Sequence, residues 1–502
     1  MTLVRGEDYL ARLAKMRPNV YINGQLVDRL DERLKGGINI IKETFDLASL
    51  PEWQELCVTE SHLGLGKINR FCHIHQSKED LLQKQKMTRM LCQRVGGCIQ
   101  RCMGIDALNA LSVVTKEMDN ILGTNYNQRF IEYLKFFQSN DLAACCAQTD
   151  VKGDRSRRPH QQPDPDLYLH IVEERKDGIV VRGAKAHNTA APYVDEIIVL
   201  PTRALTPQDR AYAVAFAIPA DWPGVKLVAR PAYPRKRVHM EAPVFRYGDA
   251  ESFTIFDDVF VPKERIFMQG EYMFAGFLAL MFAHFHRHSY TGCKPAISDI
   301  IASAAALVTE YNGIEKLPHV QEKISHIIGT AELVYAAGIA SAHYSEKFSS
   351  GTQVPDEIFT NVGRRHAGQN IYHEYEILAD LAGGLCATLP FEEDFFSAEN
   401  GRLLHKYIQR VAGVAVEDVH RCYRLLEHMI VGDMAGVMQV AGIHGGGSPQ
   451  METVTMMQRY PMSELKKVAK YLAGIDTNFL YFERETVTPK KMLEKYQSGQ
   501  GN

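Results

Sequence analysis

The chain has 502 residues, 45% of them hydrophobic, enough for a large buried core and roughly two to four domains by length alone. A formal net charge of −3 and a pI near 6.7 exclude any argument from charge for nucleic acid or an anionic membrane as partner. The opening residues MTLVRGEDYLARLAKMRPN carry charges every few positions and lack an apolar core, so no export signal is read there and the cytoplasm is the expected compartment.

In chain order, residues 1–147 are expected to form a helical N-terminal domain. Ser77-Lys-Glu-Asp opens a helix in the capping-box manner, with Ser77 as cap and Asp80 in the reciprocal position. The helical period then runs on through LLQKQKMTRMLCQRVGGCIQRCMGIDALNALSVV, interrupted at Gly96-Gly97, where a backbone or a bulky inorganic group can approach. Residues 148–270 change character. Short β-branched runs, with an Asp177-Gly178 turn between two of them, predict a compact β domain. From 271 to 502 long periodic helices return and predict a bundle. The apolar run Phe274–Phe285 is too short to span a bilayer and fits a buried helix. The fold class is mainly α with a central β domain.

With no export signal, the ten cysteines are expected as reduced thiols or metal ligands, not a disulfide framework. Cys57, Cys92, Cys145, Cys146, Cys386 and Cys422 read as ordinary buried small residues. Cys98 and Cys102 are four apart, so a helix would put both sulfurs on one face. His286, Tyr290 and Cys293 have offsets of four and seven, placing them on one helical stripe, whereas His284 and His288 share a different face. Pro295 disfavours helix at Lys294, so the helix is expected to end or kink just past Cys293. Three thiols and one imidazole suit an iron–sulfur cluster or zinc, and the spacing matches no standard ferredoxin pattern. Cys72-His73-x-His75 alternates and reads as structural. No G-x-G-x-x-G follows a strand, so a Rossmann nicotinamide site is unsupported.

At these residues, and in CIQRCMGIDALNA, TDVKGDRSRRP, GAKAHNTAAPYVDE, HFHRHSYTGCKPA and IHGGGSP, the chain strongly resembles the 4-hydroxyphenylacetate 3-hydroxylase family. Within that family it resembles the branch that combines a flavin with an iron–sulfur cluster. The resemblance implies an acyl-CoA dehydrogenase-like fold of N-terminal helical domain, middle β-barrel and C-terminal helical bundle. It implies a 4Fe–4S cluster on Cys98, Cys102, His286 and Cys293. It implies FAD, with contacts around Gln148, Thr149, Lys152, Asp154, Arg155 and Thr189, and with Gln100 turned toward flavin or substrate. Part of the FAD would be held by a neighbouring subunit, in a homotetramer built as a dimer of dimers.

The implied reaction is radical dehydration of 4-hydroxybutyryl-CoA to crotonyl-CoA, with vinylacetyl-CoA isomerisation beside it. The C3 hydrogen is not acidified by the thioester, but the C2 hydrogen is, so a base can act there while donors hold the thioester oxygen as an enolate. One-electron oxidation by the flavin then acidifies C3–H, the C4 hydroxyl leaves, and the electron returns. His286 is the candidate C2 base as well as a ligand. Tyr290 is a donor or proton relay, and Lys294 adds positive charge. Glu251 in DAESF and Glu452 in QMETV are candidates for the second base or for orienting the hydroxyl. The alternative is a flavin-dependent aromatic hydroxylase of the 4-hydroxyphenylacetate type, which needs no cluster. A simple acyl-CoA dehydrogenase and a helical interaction protein with structural zinc are further rivals.

Overall fold

The computed structural model describes residues 3–476 and 482–497. Ten strands build the two principal sheets: β1 (Val20–Ile22), β2 (Gln25–Val27), β3 (Ala144–Ala147), β4 (His170–Glu174), β5 (Gly178–Lys185), β6 (Glu196–Val199), β7 (Val214–Pro219), β8 (Val225–Ala232), β9 (Asp249–Pro262) and β10 (Ile266–Gln269). One sheet runs β2-β1-β8-β9-β5-β4 and the other β10-β7-β6-β3. The expected barrel is therefore corrected: among the described residues the strands form two open sheets. The chain gives them two different faces. β8 alternates buried and exposed through most of its length, as a strand does with one face solvated. ACCA in β3 and EIIV in β6 are buried throughout and pair in parallel, Ala144 opposite Glu196, as strands covered on both faces do.

The N-terminal stretch is not wholly helical. VYI and QLV form a hairpin closed by Asn23-Gly24, both at positive φ (52° and 76°), and β1 adds parallel to β8.

Seven helices frame the site: α1 (Lys78–Val95), α2 (Cys102–Leu122), α3 (Tyr272–Tyr311), α4 (Pro318–His343), α5 (Glu357–Ala382), α6 (Asp433–His444) and α7 (Pro449–Arg459). The capping box of α1 forms: the Asp80 amide donates to Ser77 Oγ (3.2 Å) and the Ser77 amide to Asp80 Oδ2 (3.1 Å). The first turns of α3 carry the apolar run, mostly buried against the sheets.

Two expectations about helices fail for local reasons. The helical period does not carry α1 into α2. Gly96 takes a left-handed φ of 70° and caps α1, and Gln100 sits at φ 62°, so Cys98 lies on an irregular segment and Cys102 opens α2. Helix α3 does not end at Pro295 but continues to Tyr311. Proline deprives the carbonyl four residues back, at Thr291, of its helical partner. Gln85 of α1 supplies the replacement, its Nε2 donating to the Thr291 carbonyl at 3.1 Å. The orphaned acceptor is thus satisfied from a neighbouring helix, and nothing forces a break.

Candidate active site

Helix α3, the segment before α2, the edges of both sheets and the α6 region enclose one cavity of about 1030 Å³. That is at the upper end of the volume range of small-molecule and cofactor sites. Cys98, Cys102, Cys293 and His286 all line it. The thiol of Cys98 interacts electrostatically with those of Cys102 and Cys293, and the Cys102 sulfur lies within 4.8 Å of a His286 ring nitrogen. The three cysteines are buried or half-buried and His286 is buried. The other α3 histidines point elsewhere. His284 bonds the Pro355 carbonyl (2.6 Å) and His288 lies between Ser341 Oγ (2.9 Å) and the Leu81 carbonyl (3.1 Å).

His286 is held from behind. Its Nδ1 lies 2.8 Å from Oδ2 of Asp106, four residues after Cys102 on α2 and wholly buried. Asp106 in turn accepts from Ser289 Oγ (2.8 Å to Oδ2) and pairs with Lys84. Burial alone would pull the His286 pKa down, but Asp106 and Cys102 outweigh it and raise it to about 9. Burial pushes Asp106 up, while Lys84 and His286 overcome this and hold it below the usual carboxylate value. The ligand atoms of Cys102, Asp106 and His286 lie within 4.8 Å of one another, a group that can hold a metal ion.

Tyr290 lines the cavity one turn beyond His286, and its hydroxyl donates to the Ala441 carbonyl at 3.0 Å. Burial raises its pKa well above the ordinary value. The glycine loop after α6 packs on it: a Cβ at Gly445 would sit 1.6 Å from the Tyr290 oxygen, so only glycine leaves room for the phenol. Arg364 of α5 stacks over the Tyr290 ring at 4.6 Å, and its Nε lies 3.7 Å from Glu452 Oε1. Glu452 thus sits behind Arg364, buried, and outside the cavity wall. Lys294 is likewise buried behind Tyr290, its Nζ 5.7 Å from the ring centre, and burial lowers its pKa.

The opposite wall comes from the sheets. Glu251 on β9 lines the cavity and accepts from Thr189 Oγ1 at 2.7 Å, while its Oε2 has no hydrogen-bond partner among the described residues. Burial raises its pKa. Asp249, two residues earlier and on the same strand face, also lines the cavity. Burial and Glu251 raise its pKa well above the ordinary range. Gln148, Thr149, Thr189 and Gln100 complete the wall. The Gln100 amide is already engaged, donating to the Gly248 carbonyl (3.0 Å) and accepting from Tyr193 (2.8 Å). Lys152 is half-buried and interacts electrostatically with His187 of the cavity wall but does not line the cavity, and Asp154 and Arg155 are exposed and outside it.

Cys72, His73 and His75 are buried away from this cavity, with His73 Nε2 3.1 Å from Asp80. Sequence reasoning passed over Asp106, Asp249, Arg364 and Lys84. The spacing of Asp106 from Cys102 and the alternation of Asp249 with Glu251 were signals that could have found two of them; Arg364 and Lys84 have none.

This constellation, on mostly helical architecture with two sheets, defines a member of a flavoprotein family. The chain belongs to the 4-hydroxyphenylacetate 3-hydroxylase family, whose N-terminal model matches residues 5–268 and whose C-terminal model matches residues 275–474. It is 38% identical over 488 residues, 94% of this chain and 100% of the relative, to the 4-hydroxybutyryl-CoA dehydratase/vinylacetyl-CoA-Delta-isomerase of Clostridium aminobutyricum. The structure of an oxygen-tolerant archaeal 4-hydroxybutyryl-CoA dehydratase from N. maritimus superposes with a TM-score of 0.91 at 38% identity, covering 98% of this chain and 99% of that one. The oxygenase component of 4-hydroxyphenylacetate 3-monooxygenase, solved with FAD and 4-hydroxyphenylacetate, superposes with a TM-score of 0.83 at 25% identity, covering 94% of this chain and 100% of that one.

Proposed function

We propose that the chain dehydrates 4-hydroxybutyryl-CoA to crotonyl-CoA and isomerises vinylacetyl-CoA to the same product, using FAD and a 4Fe–4S cluster. The observation that carries this reading is the convergence of Cys98, Cys102, Cys293 and His286 on one cavity wall. An aromatic hydroxylase has no use for that donor set, and the 38% identity to the Clostridium aminobutyricum enzyme over 94% of the chain supports the same branch.

The donor set fits an iron–sulfur cluster: soft thiolates with one imidazole, on a cavity large enough to admit cofactor and substrate together. Gln148, Thr149 and Thr189, which line the cavity, are assigned to the flavin ring, and Lys152, Asp154 and Arg155, which lie outside its lining, to the nucleotide end. When bound, the flavin supplies one-electron chemistry and the cluster a Lewis-acidic iron for the departing hydroxyl. The chain does the rest. His286 takes the proton from C2 at Nε2 when that nitrogen is released from iron, and Tyr290, with its hydroxyl turned from the Ala441 carbonyl, donates a hydrogen bond to the substrate. Glu251, which lines the cavity and has one oxygen without a partner among the described residues, orients the C4 hydroxyl or moves the second proton. Glu452 acts from behind Arg364, and Lys294 offsets the negative charge of the thiolates. Proton transfer by such positioned groups is worth about 10²–10⁴-fold in rate.

The chain is proposed to work as a tetramer in the cytoplasm. Helix α4 supports the assembly, because Ile328, Leu333 and Ile339 leave exposed apolar side chains on it. The test of the reaction is a paired assay. The His286→Ala variant is expected to lose iron and dehydratase turnover, while Glu452→Gln loses dehydration more than isomerisation, since isomerisation expels no hydroxyl. Full iron and full turnover in His286→Ala would remove the dual role.

A further inference from the structure

We propose that Asp106 is a positioning residue that decides which ring nitrogen of His286 faces the cavity. The inference rests on reading His286 as a metal ligand. Asp106, Lys84 and Ser289 are buried and come from α2, α1 and α3. Lys84 contacts Asp106 Oδ1 and Ser289 Oγ. Ser289 Oγ lies 2.9 Å from Oδ1 and 2.8 Å from Oδ2, and His286 Nδ1 lies 2.8 Å from Oδ2.

A carboxylate paired with an ammonium only accepts hydrogen bonds. Nδ1 of His286 must therefore carry the ring proton, which leaves the lone pair of the neutral imidazole at Nε2, free for iron. Both oxygens of Asp106 are already engaged by Lys84, Ser289 and His286, so Asp106 is not itself a ligand despite its closeness to Cys102. It fixes and orients the ligand from outside the coordination shell, a role whose loss typically weakens metal binding about 10–100-fold.

The Asp106→Asn variant makes the test specific. Its amide oxygen must stay toward the Lys84 ammonium, which turns the NH₂ toward His286 Nδ1. The ring then accepts at Nδ1 and carries its proton on Nε2, where iron would bind. After anaerobic reconstitution, wild type is expected to hold about four irons per chain. The variant is expected to hold about three, with the electron paramagnetic resonance signal of a three-iron cluster and unchanged flavin content. Wild-type iron and spectrum in the variant overturn the inference. If Asp106→Asn does not accumulate, Ser289→Ala removes one brace and leaves the carboxylate. Its iron is expected to pass to a chelator about 10–100-fold faster, and a wild-type rate overturns the inference equally. A wild-type chain that takes up no iron overturns the parent reading and this one with it, whereas an iron-loaded wild type beside an unchanged variant overturns this one alone.

Discussion

Tyr290 shows how little of a residue's role lies in its own side chain. Its phenol is set by three neighbours: the Ala441 carbonyl that accepts its hydrogen bond, the Arg364 guanidinium over its ring, and the space left by Gly445. Removing only the hydroxyl should leave the packing intact. Tyr290→Phe is therefore expected to keep iron and flavin and to lower dehydratase kcat by about 10²–10⁴-fold, the usual worth of a positioned proton donor. A wild-type kcat in that variant removes Tyr290 from the chemistry. At this scale the sequence was informative where spacing is geometry. Offsets of four and seven put His286, Tyr290 and Cys293 on the cavity wall and turned His284 and His288 away. It was silent where partners come from distant chain. Lys84 meets Asp106 across 22 positions and Ser289 across 205, and no local pattern encodes either contact.

At the scale of elements, the helices pack through a few buried polar groups that no periodicity reveals. Pro295 looked like a terminus because the partner of the Thr291 carbonyl, Gln85, lies on another helix. Cys98 looked helical because the pattern continues past Gly96, whose left-handed φ ends the helix. The hairpin at Asn23-Gly24 was legible as an Asn-Gly turn between two apolar runs, yet a three-residue strand is easily absorbed into a helical reading of its surroundings.

Glu374, buried on α5 and accepting from Ser298 Oγ of α3 at 2.7 Å, gives a test of that packing. Burial raises its pKa to about 7 from an ordinary 4.5. The folded state thus holds the proton more tightly than the unfolded chain. The stability it contributes is complete below the unfolded value near 4.5 and is lost as pH rises to about 7. Glutamine cannot titrate and keeps an oxygen for Ser298. Glu374→Gln is expected to match wild type near pH 4.5 and to gain on it progressively up to pH 7, by on the order of 3 kcal/mol. Denaturant melts of both proteins at several pH values measure this, and a difference independent of pH contradicts the assignment.

For the whole molecule, the mainly helical class with a central β region was readable from where β-branched runs replace the 3.6-residue period. The closure of the strands was not, because whether a sheet curls into a barrel depends on register and edge pairing between distant strands. Assembly is a property of surface, and α4 leaves Leu333 exposed near the middle of its length. An unpaired carboxylate in a dry interface costs several kcal/mol. Leu333→Asp is therefore expected to shift the protein to a smaller species by light scattering while preserving the circular dichroism of the folded chain. An unchanged mass places the subunit contacts elsewhere.

The most direct measurement is an anaerobic count of iron, acid-labile sulfide and flavin per chain in the purified protein, taken together with its turnover of 4-hydroxybutyryl-CoA. About four irons, about four sulfides and about one FAD per chain, with crotonyl-CoA as product, are what the proposed cluster and flavin predict. Zinc in place of iron and sulfide, or flavin alone with hydroxylation of a phenol, would contradict it.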